Sequence, residues 1–334
     1  MTEELDFKPN FNDLFPDNNH HLEEYGRFQQ HTVLLEDSCR VSHYAQAIAQ
    51  CAPGEIVVDV GSGTGLLGIC ALKSGFSHAF LIEPSKKMCE YIKHFSKING
   101  VENKITILNS TLEALSPSAL PQEIDLVVTE TISSVLYGFG CWDAFPDLLE
   151  RVATKPGIIP SRGDLYCCLA TKEFATRGSE SGGIAFLKRL GLKVDIFERT
   201  FRSGGNIYDK PIVQTAIDNG ELSPFRISSF DFNQSDPYNL KGGEVKVKGT
   251  NLYTGLVLYW DVLLADKVNT IMLSSLTPAL SSWYPYYVSF KQPITIEDGE
   301  TLNIRMAFHE MDMPYKYAFQ FFNENIPLTH ILYW

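Results

Sequence analysis

Apolar and polar positions change period several times along the first half of the chain. From 22 to about 50, Tyr25, Phe28, Val33, Leu34, Leu35, Val41, Tyr44 and Ala45 recur at threes and fours, the spacing of an amphipathic helix, until Pro53 and Gly54 break it. An apolar run with one carboxylate follows, Val57-Val58-Asp59-Val60, and enters a turn with glycines at alternate positions, Gly61, Gly63 and Gly65. This pattern predicts a buried parallel strand that delivers its backbone into a tight turn, where a Cβ would keep a ligand away from the main chain. A helical run begins at Leu66 and stops at Gly75; 79–83 reads as the next strand, with Glu83 at its carboxyl end. Met88, Tyr91, Ile92, Phe95 and Ile98 mark one face of another helix, ended by Asn99-Gly100. Strands at 105–108 and 124–129 complete the alternation, and Glu130 stands at the exit of the last. Such alternation predicts a doubly wound α/β sheet that binds ligands beyond the carboxyl ends of its strands.

The pattern changes near residue 157. Helical periodicity fades, and runs such as 164–169 and 255–260 read as strands separated by Asp218-Asn219-Gly220, Lys241-Gly242-Gly243 and Asp298-Gly299. This half predicts an antiparallel β domain, barrel or sandwich. An excursion at about 172–202, with Gly178, Gly182, Gly183 and one helical run at 185–190, reads as an arm protruding from it. The division expected is a flexible segment over 1–21, an α/β domain with covering helices over 22–156, and a β-barrel domain over 157–334.

Composition narrows the partners. A formal charge of −12 argues against nucleic acid, whose phosphates need a basic face, and suits a cationic ligand. No apolar run approaches a membrane span and no signal peptide follows Met1, so the expectation is a soluble, cytoplasmic protein without a membrane partner. The seven cysteines are scattered, with no C-x-x-C pair, and read as reduced thiols rather than a disulfide frame or metal site. Cys167 and Cys168 adjoin in a strand-like run, so their side chains should face opposite ways.

The turn itself discriminates between nucleotides. A dinucleotide fingerprint, G-x-G-x-x-G, advances three residues from its second glycine to its third; here the spacing is G-x-G-x-G, and Asp59 lies two residues before the first glycine. A carboxylate there repels a pyrophosphate and favours an amino or sulfonium group. D-x-G-x-G-x-G resembles the first motif of class I S-adenosylmethionine methyltransferases, and Glu83 matches the acid that accepts from the ribose hydroxyls.

Larger constellations extend the resemblance. An α/β half, a β half and an acid ending the fourth strand resemble the protein arginine methyltransferase family over about 25–300. Tyr25-x-x-Phe28-x-x-His31 is similar to the aromatic helix that covers the cofactor in that family. Asp37-x-x-Arg40 is similar to the motif whose arginine clamps the methionine carboxylate, a role suited to a bidentate guanidinium. Thr111-Leu112-Glu113 is similar to the adenine-reading segment, with the Leu112 amide donating and Glu113 accepting. The resemblance implies a seven-stranded Rossmann-like class I domain followed by the β-barrel, S-adenosylmethionine as cofactor, S-adenosylhomocysteine as product, and a homodimer formed through the arm.

Departures fall at the substrate pocket. The family hairpin carries two glutamates nine residues apart; here the first is Glu130 and the second position holds Phe139. The family's Thr-His-Trp loop reads Ser281-Ser282-Trp283. Glu130 is thus expected to orient the nucleophile, with Trp283 and Ser282 at the pocket wall and Tyr25 and Phe139 toward the substrate. Losing one carboxylate at about 4 Å from a cation forfeits up to ~4 kcal/mol, enough to change substrate preference. The expected activity is methyl transfer to a nitrogen of a protein arginine, free arginine or related amine. The alternative is a cofactor-binding pseudoenzyme acting as a scaffold subunit; a nicotinamide oxidoreductase is a third reading that the glycine spacing opposes.

Overall fold

The structure, a computed structural model, describes residues 28–137, 144–178, 190–191, 206–234, 238–239, 242–308, 317–322 and 329–333. Two helices open it, α1 (Phe28–Glu36) and α2 (Ser38–Cys51), separated by Asp37, which caps α2 by accepting from the Arg40 amide at 2.9 Å. A parallel layer follows: β1 (Gly54–Val60), α3 (Leu66–Ser74), β2 (Phe76–Ile82), α4 (Lys86–Ile98), β3 (Ile105–Leu108) and β4 (Leu126–Thr129). A hairpin, β5 (Ile132–Ser133) and β6 (Leu136–Tyr137), leads toward α5 (Phe145–Arg151) and β7 (Gly157–Ile159). Strand order is β3-β2-β1-β4-β7, so the chain reverses direction across the sheet between β1 and β4.

Two sequence expectations need correction here. The parallel sheet has five strands among the described residues, not seven. Gly157–Ile159, which the loss of helical period marks as the start of the β half, pairs in parallel with β4 through Leu126, Val127 and Val128. A three-residue strand followed by Pro160 has too little pattern to declare its partner.

The β half contains β8 (Arg162–Thr171), α6 (Lys172–Gly178), β9 (Asn206–Ile207), α7 (Lys210–Asp218), β10 (Phe225–Asp231), β11 (Tyr238–Asn239), β12 (Gly243–Lys246), β13 (Asn251–Ala265), β14 (Ile271–Ser274), β15 (Tyr286–Ile296), β16 (Thr301–Phe308), β17 (Tyr317–Phe322) and β18 (Thr329–Tyr333). An antiparallel sheet runs β11-β10-β8-β13-β15-β9, with β14 also on β13, and a second runs β12-β16-β17-β18. Contacts of β12 and β16 with β10, and of β18 with β15, bring the second sheet across the first, giving the expected barrel-like closure. Most of the expected arm, including its helical run at 185–190, lies outside the described residues; α6 is its described start. Helix α7 departs from the sequence expectation: Asp218-Asn219-Gly220, expected as turn residues between strands, ends a helix instead.

One apolar cluster runs from Val57, Val58 and Leu126 in the parallel sheet to Cys167, Trp260 and Val262 in the antiparallel one. A second, beneath α6 and α7, holds Cys168, Phe174, Val213 and Val257. The adjacent cysteines therefore do face opposite cores, as strand geometry requires. Gln50, near the end of α2, clasps the β domain by accepting from the Val268 amide at 2.9 Å and donating to the Asn269 carbonyl at 2.9 Å.

Candidate active site

A cavity opens at the carboxyl edge of the parallel sheet, between β1, β2, β4 and α1. Its walls include His31, Arg40, Asp59, Gly61, Gly63, Glu83 and Glu130, with Leu34, Leu35, Ser62, Thr64 and Thr131.

The glycine turn is built for close approach. Gly61, Gly63 and Gly65 all have positive φ, at 69°, 53° and 77°. A Cβ on Gly61 would stand 2.6 Å from the Thr131 methyl, and one on Gly63 would stand 3.1 Å from the His31 ring. Gly65 differs from the other two. It is the left-handed N-cap of α3, its missing side chain clearing Ile92 and Leu81, and it does not line the cavity. The turn is tied to β2 by Gly61 and Ser62 amides donating to the Ile82 carbonyl, each at 3.0 Å.

Four charged side chains face one another across this space. Glu83 accepts from the Gly63 amide at 2.8 Å through one oxygen and from the Ser85 amide at 2.8 Å through the other. Each oxygen retains a second lone pair for a hydroxyl. Asp59, 1% exposed, accepts from the Gly68 amide at 2.9 Å. Burial pushes its carboxyl up to about 7, and the neighbouring Glu83 and Glu130 add to the rise. Burial also raises Glu83.

Arg40 crosses the cavity to Glu130, its Nη1 donating to Oε2 at 2.5 Å, while Nη2 donates to the Leu34 carbonyl. Burial pushes Glu130 up to about 7, against the opposing pull of Arg40. The Nε of Arg40 is buried with no partner, the one such side-chain atom among the described residues. A buried guanidinium with a spare donor is poised for another acceptor.

Other expected residues stand elsewhere. Leu112 and Glu113 line a separate hollow with Leu115, Leu148 and Arg151, not the main cavity. Trp283, 4% exposed, packs edge-on against Trp260 with ring centroids 5.0 Å apart, and its Nε1 donates to the Ile132 carbonyl at 3.0 Å. It therefore supports the hairpin after Glu130 from beneath and is not part of the cavity wall. Trp260 does the same for Ser133, at 2.8 Å. Leu136, the buried first residue of β6, adopts φ 74°, a strained value for a bulky side chain. Tyr25 and Phe139 lie outside the described residues.

Ser282 is displaced furthest from its expected role. Its hydroxyl and its amide donate to Asp37 Oδ2 at 2.7 and 2.8 Å, and the Ser281 amide adds a third bond at 2.8 Å. The other oxygen of Asp37 caps α2. These bonds outweigh burial and hold the Asp37 carboxyl below its usual value. Asp37 was visible in sequence only as a motif letter; no local pattern announces a contact with residues about 245 positions away. Replacing Ser282 with Ala removes one bond and leaves both amides, so urea denaturation should show a loss of only about 1 kcal/mol.

Comparison with known proteins gives the same likeness. Over 287 residues, 84% of this chain and 47% of the relative, the sequence is 24% identical to histone-arginine methyltransferase CARMER of Culex quinquefasciatus. A CARMER of Drosophila yakuba matches over 290 residues at 24%, covering 54% of that protein. The chain is thus similar in sequence to histone-arginine methyltransferases over most of its own length. It spans about half the length of the curated relatives it matches. The family model for rRNA small subunit methyltransferase G, GidB, matches residues 18–136, the stretch that contains the glycine turn. Among solved structures, Arabidopsis thaliana protein arginine methyltransferase 10 superposes with a TM-score of 0.66 at 17% identity, over 94% of this chain and 99% of that one. A PRMT6–SAH complex gives 0.61 at 18%, over 89% and 100%. These likenesses establish that the two halves share the family fold, with a Rossmann-like sheet and an antiparallel half-barrel. No helix among the described residues is long and apolar enough to cross a membrane.

Proposed function

We propose that the chain transfers a methyl group from S-adenosylmethionine to a guanidine or amine nitrogen, with a protein arginine as the favoured acceptor class. The observation that carries this reading is the charge layout of the cavity. Three carboxylates and one guanidinium line it, a net negative surface with a single cationic post. A zwitterion with an extra positive sulfur is complementary to that layout; a pyrophosphate is not.

The chain's own groups divide the work. The unpartnered Nε and the two terminal nitrogens of Arg40 are suited to a carboxylate. Glu83, pinned by two amides, offers lone pairs to vicinal hydroxyls. Asp59 faces the positive end of the ligand, and the bare backbone at Gly61 and Gly63 admits its body. The bound cofactor supplies an electrophilic methyl on a sulfonium. Alignment of the attacking nitrogen is then the main demand on the protein. Glu130 holds that nitrogen through its N–H groups, and a carboxyl lifted to about 7 can take up the proton that the nitrogen sheds. Because Arg40 is the partner of Glu130 here, a ligand carboxylate on Arg40 frees Glu130 for the acceptor.

CARMER relatives are named for histone arginine, and one solved neighbour is a Trypanosoma brucei PRMT1 enzyme–prozyme heterotetramer with AdoHcy. These names support a protein arginine acceptor and an oligomer. We extend the reading to a cytoplasmic homodimer formed through the arm expected at about 172–202, which light scattering tests: a strictly monomeric mass removes the arm's role.

The direct test is S-adenosylhomocysteine release during incubation with tritiated S-adenosylmethionine and arginine-rich peptides, free arginine or amine extracts. Label transferred to any of these supports the reading. A protein that binds the cofactor but labels none of them is a scaffold subunit instead.

A further inference from the structure

Lys210 opens α7 in the β domain and is 3% exposed. Its Nζ donates to the Thr277 carbonyl at 3.0 Å and to the Leu280 carbonyl, and lies 4.6 Å from the centre of the Tyr284 ring. No carboxylate forms an ion pair with it among the described residues. A buried cation held by carbonyls and an aromatic face is a costly way to fill a core site, since a methionine packs the same volume without desolvation. What it gains is a fixed loop. Both ends of the segment 277–284 are gripped by one charge.

That segment reaches both partners of the Arg40–Glu130 pair through their chain neighbours, Asp37 and Ile132. Ser281 and Ser282 hold Asp37, whose second oxygen caps the helix at Arg40. Trp283 holds the Ile132 carbonyl, two residues past Glu130. We propose that Lys210 is a positioning residue for the donor site: by clamping the 277–284 loop it sets, through Asp37 and Ile132, where Arg40 and Glu130 stand. This rests on the proposed cofactor role of Arg40. Asp37 also attracts Lys210 across the loop, so the clamp and the cap pull toward each other.

The test is calorimetric titration of the full chain with S-adenosylhomocysteine. Lys210→Met should weaken binding about tenfold, and adding Ser282→Ala to it should cost less than Ser282→Ala costs in the wild type, because both act through one loop. Val213→Ala on the same helix, at a fully buried position, should lower the melting temperature and leave affinity within about twofold. If Lys210→Met does not fold, Lys210→Gln, which retains donors for the carbonyls, should fold and weaken binding less. Wild-type affinity in the Lys210 variants, or strictly additive effects, overturns the proposal. No binding by the wild type overturns the cofactor reading itself, a distinct outcome.

Discussion

Glu130→Gln should bind S-adenosylhomocysteine within about threefold of wild type and transfer no methyl above background. Glutamine has the same shape and still offers an acceptor to Arg40 Nη1, so the wall of the donor site is preserved. What disappears is the negative charge. At about 4 Å and a surface-like dielectric that charge attracts a guanidinium by ~4 kcal/mol, so turnover should fall by roughly a thousandfold. The loss is expected in full because the sequence has Phe139 where the resemblance would call for a second glutamate. Arg40→Met should show the opposite division. It removes the guanidinium partner of the ligand's carboxylate, weakening S-adenosylhomocysteine about 10- to 100-fold. It also leaves Glu130 buried and unpaired, which costs about 3–5 kcal/mol in urea denaturation. Turnover surviving in Glu130→Gln removes the role assigned to that residue.

The second large effect is on stability. Burial raises Asp59 from 3.8 to about 7, so the folded protein keeps this proton between those pH values while the unfolded chain has released it. Stability contributed by this group is therefore greatest in acid and falls as pH climbs from about 4 to about 7. At about 1.4 kcal/mol per tenfold, the full fall approaches roughly 4 kcal/mol. Asp59→Asn cannot ionise and still offers an oxygen to the Gly68 amide, so at pH 8 the ligand-free variant should melt several degrees above wild type. Near pH 4 the two should coincide. Glu130, raised to about 7 as well, adds a similar slope to both proteins, and the difference between them isolates Asp59. The same variant should lose more affinity for S-adenosylmethionine than for S-adenosylhomocysteine, because only the former presents a sulfonium. A lower melting temperature for Asp59→Asn at pH 8 contradicts the burial argument.

Local chemistry made much of the cavity lining legible, though not the places of Gly65, Leu112 and Glu113. Val57, Val58 and Val60 around Asp59, the alternating glycines, and Glu83 some twenty residues on carry their meaning within one β-α-β unit. The substrate half was legible only as departures. Ser282 and Trp283 hold positions that suggest a pocket wall, yet their partners are Asp37 and Ile132, set by the docking of one domain on another. No periodicity encodes such contacts. Helix α7 has apolar residues at Ile212, Val213, Ala216 and Ile217, but a nine-residue helix beside an Asp-Asn-Gly turn was outweighed by the surrounding strand signals. Lys210 had no sequence signal at all. A lysine before a proline reads as a solvated charge until its carbonyl partners are known.

The account depends most on the claim that this cavity holds a sulfur-bearing nucleoside amino acid. Titrating the folded wild-type chain with S-adenosylhomocysteine in a calorimeter tests it directly. One site per chain, with affinity about 10- to 100-fold weaker in Arg40→Met, is the result expected. A folded protein that gives no heat with either S-adenosylhomocysteine or S-adenosylmethionine would contradict it.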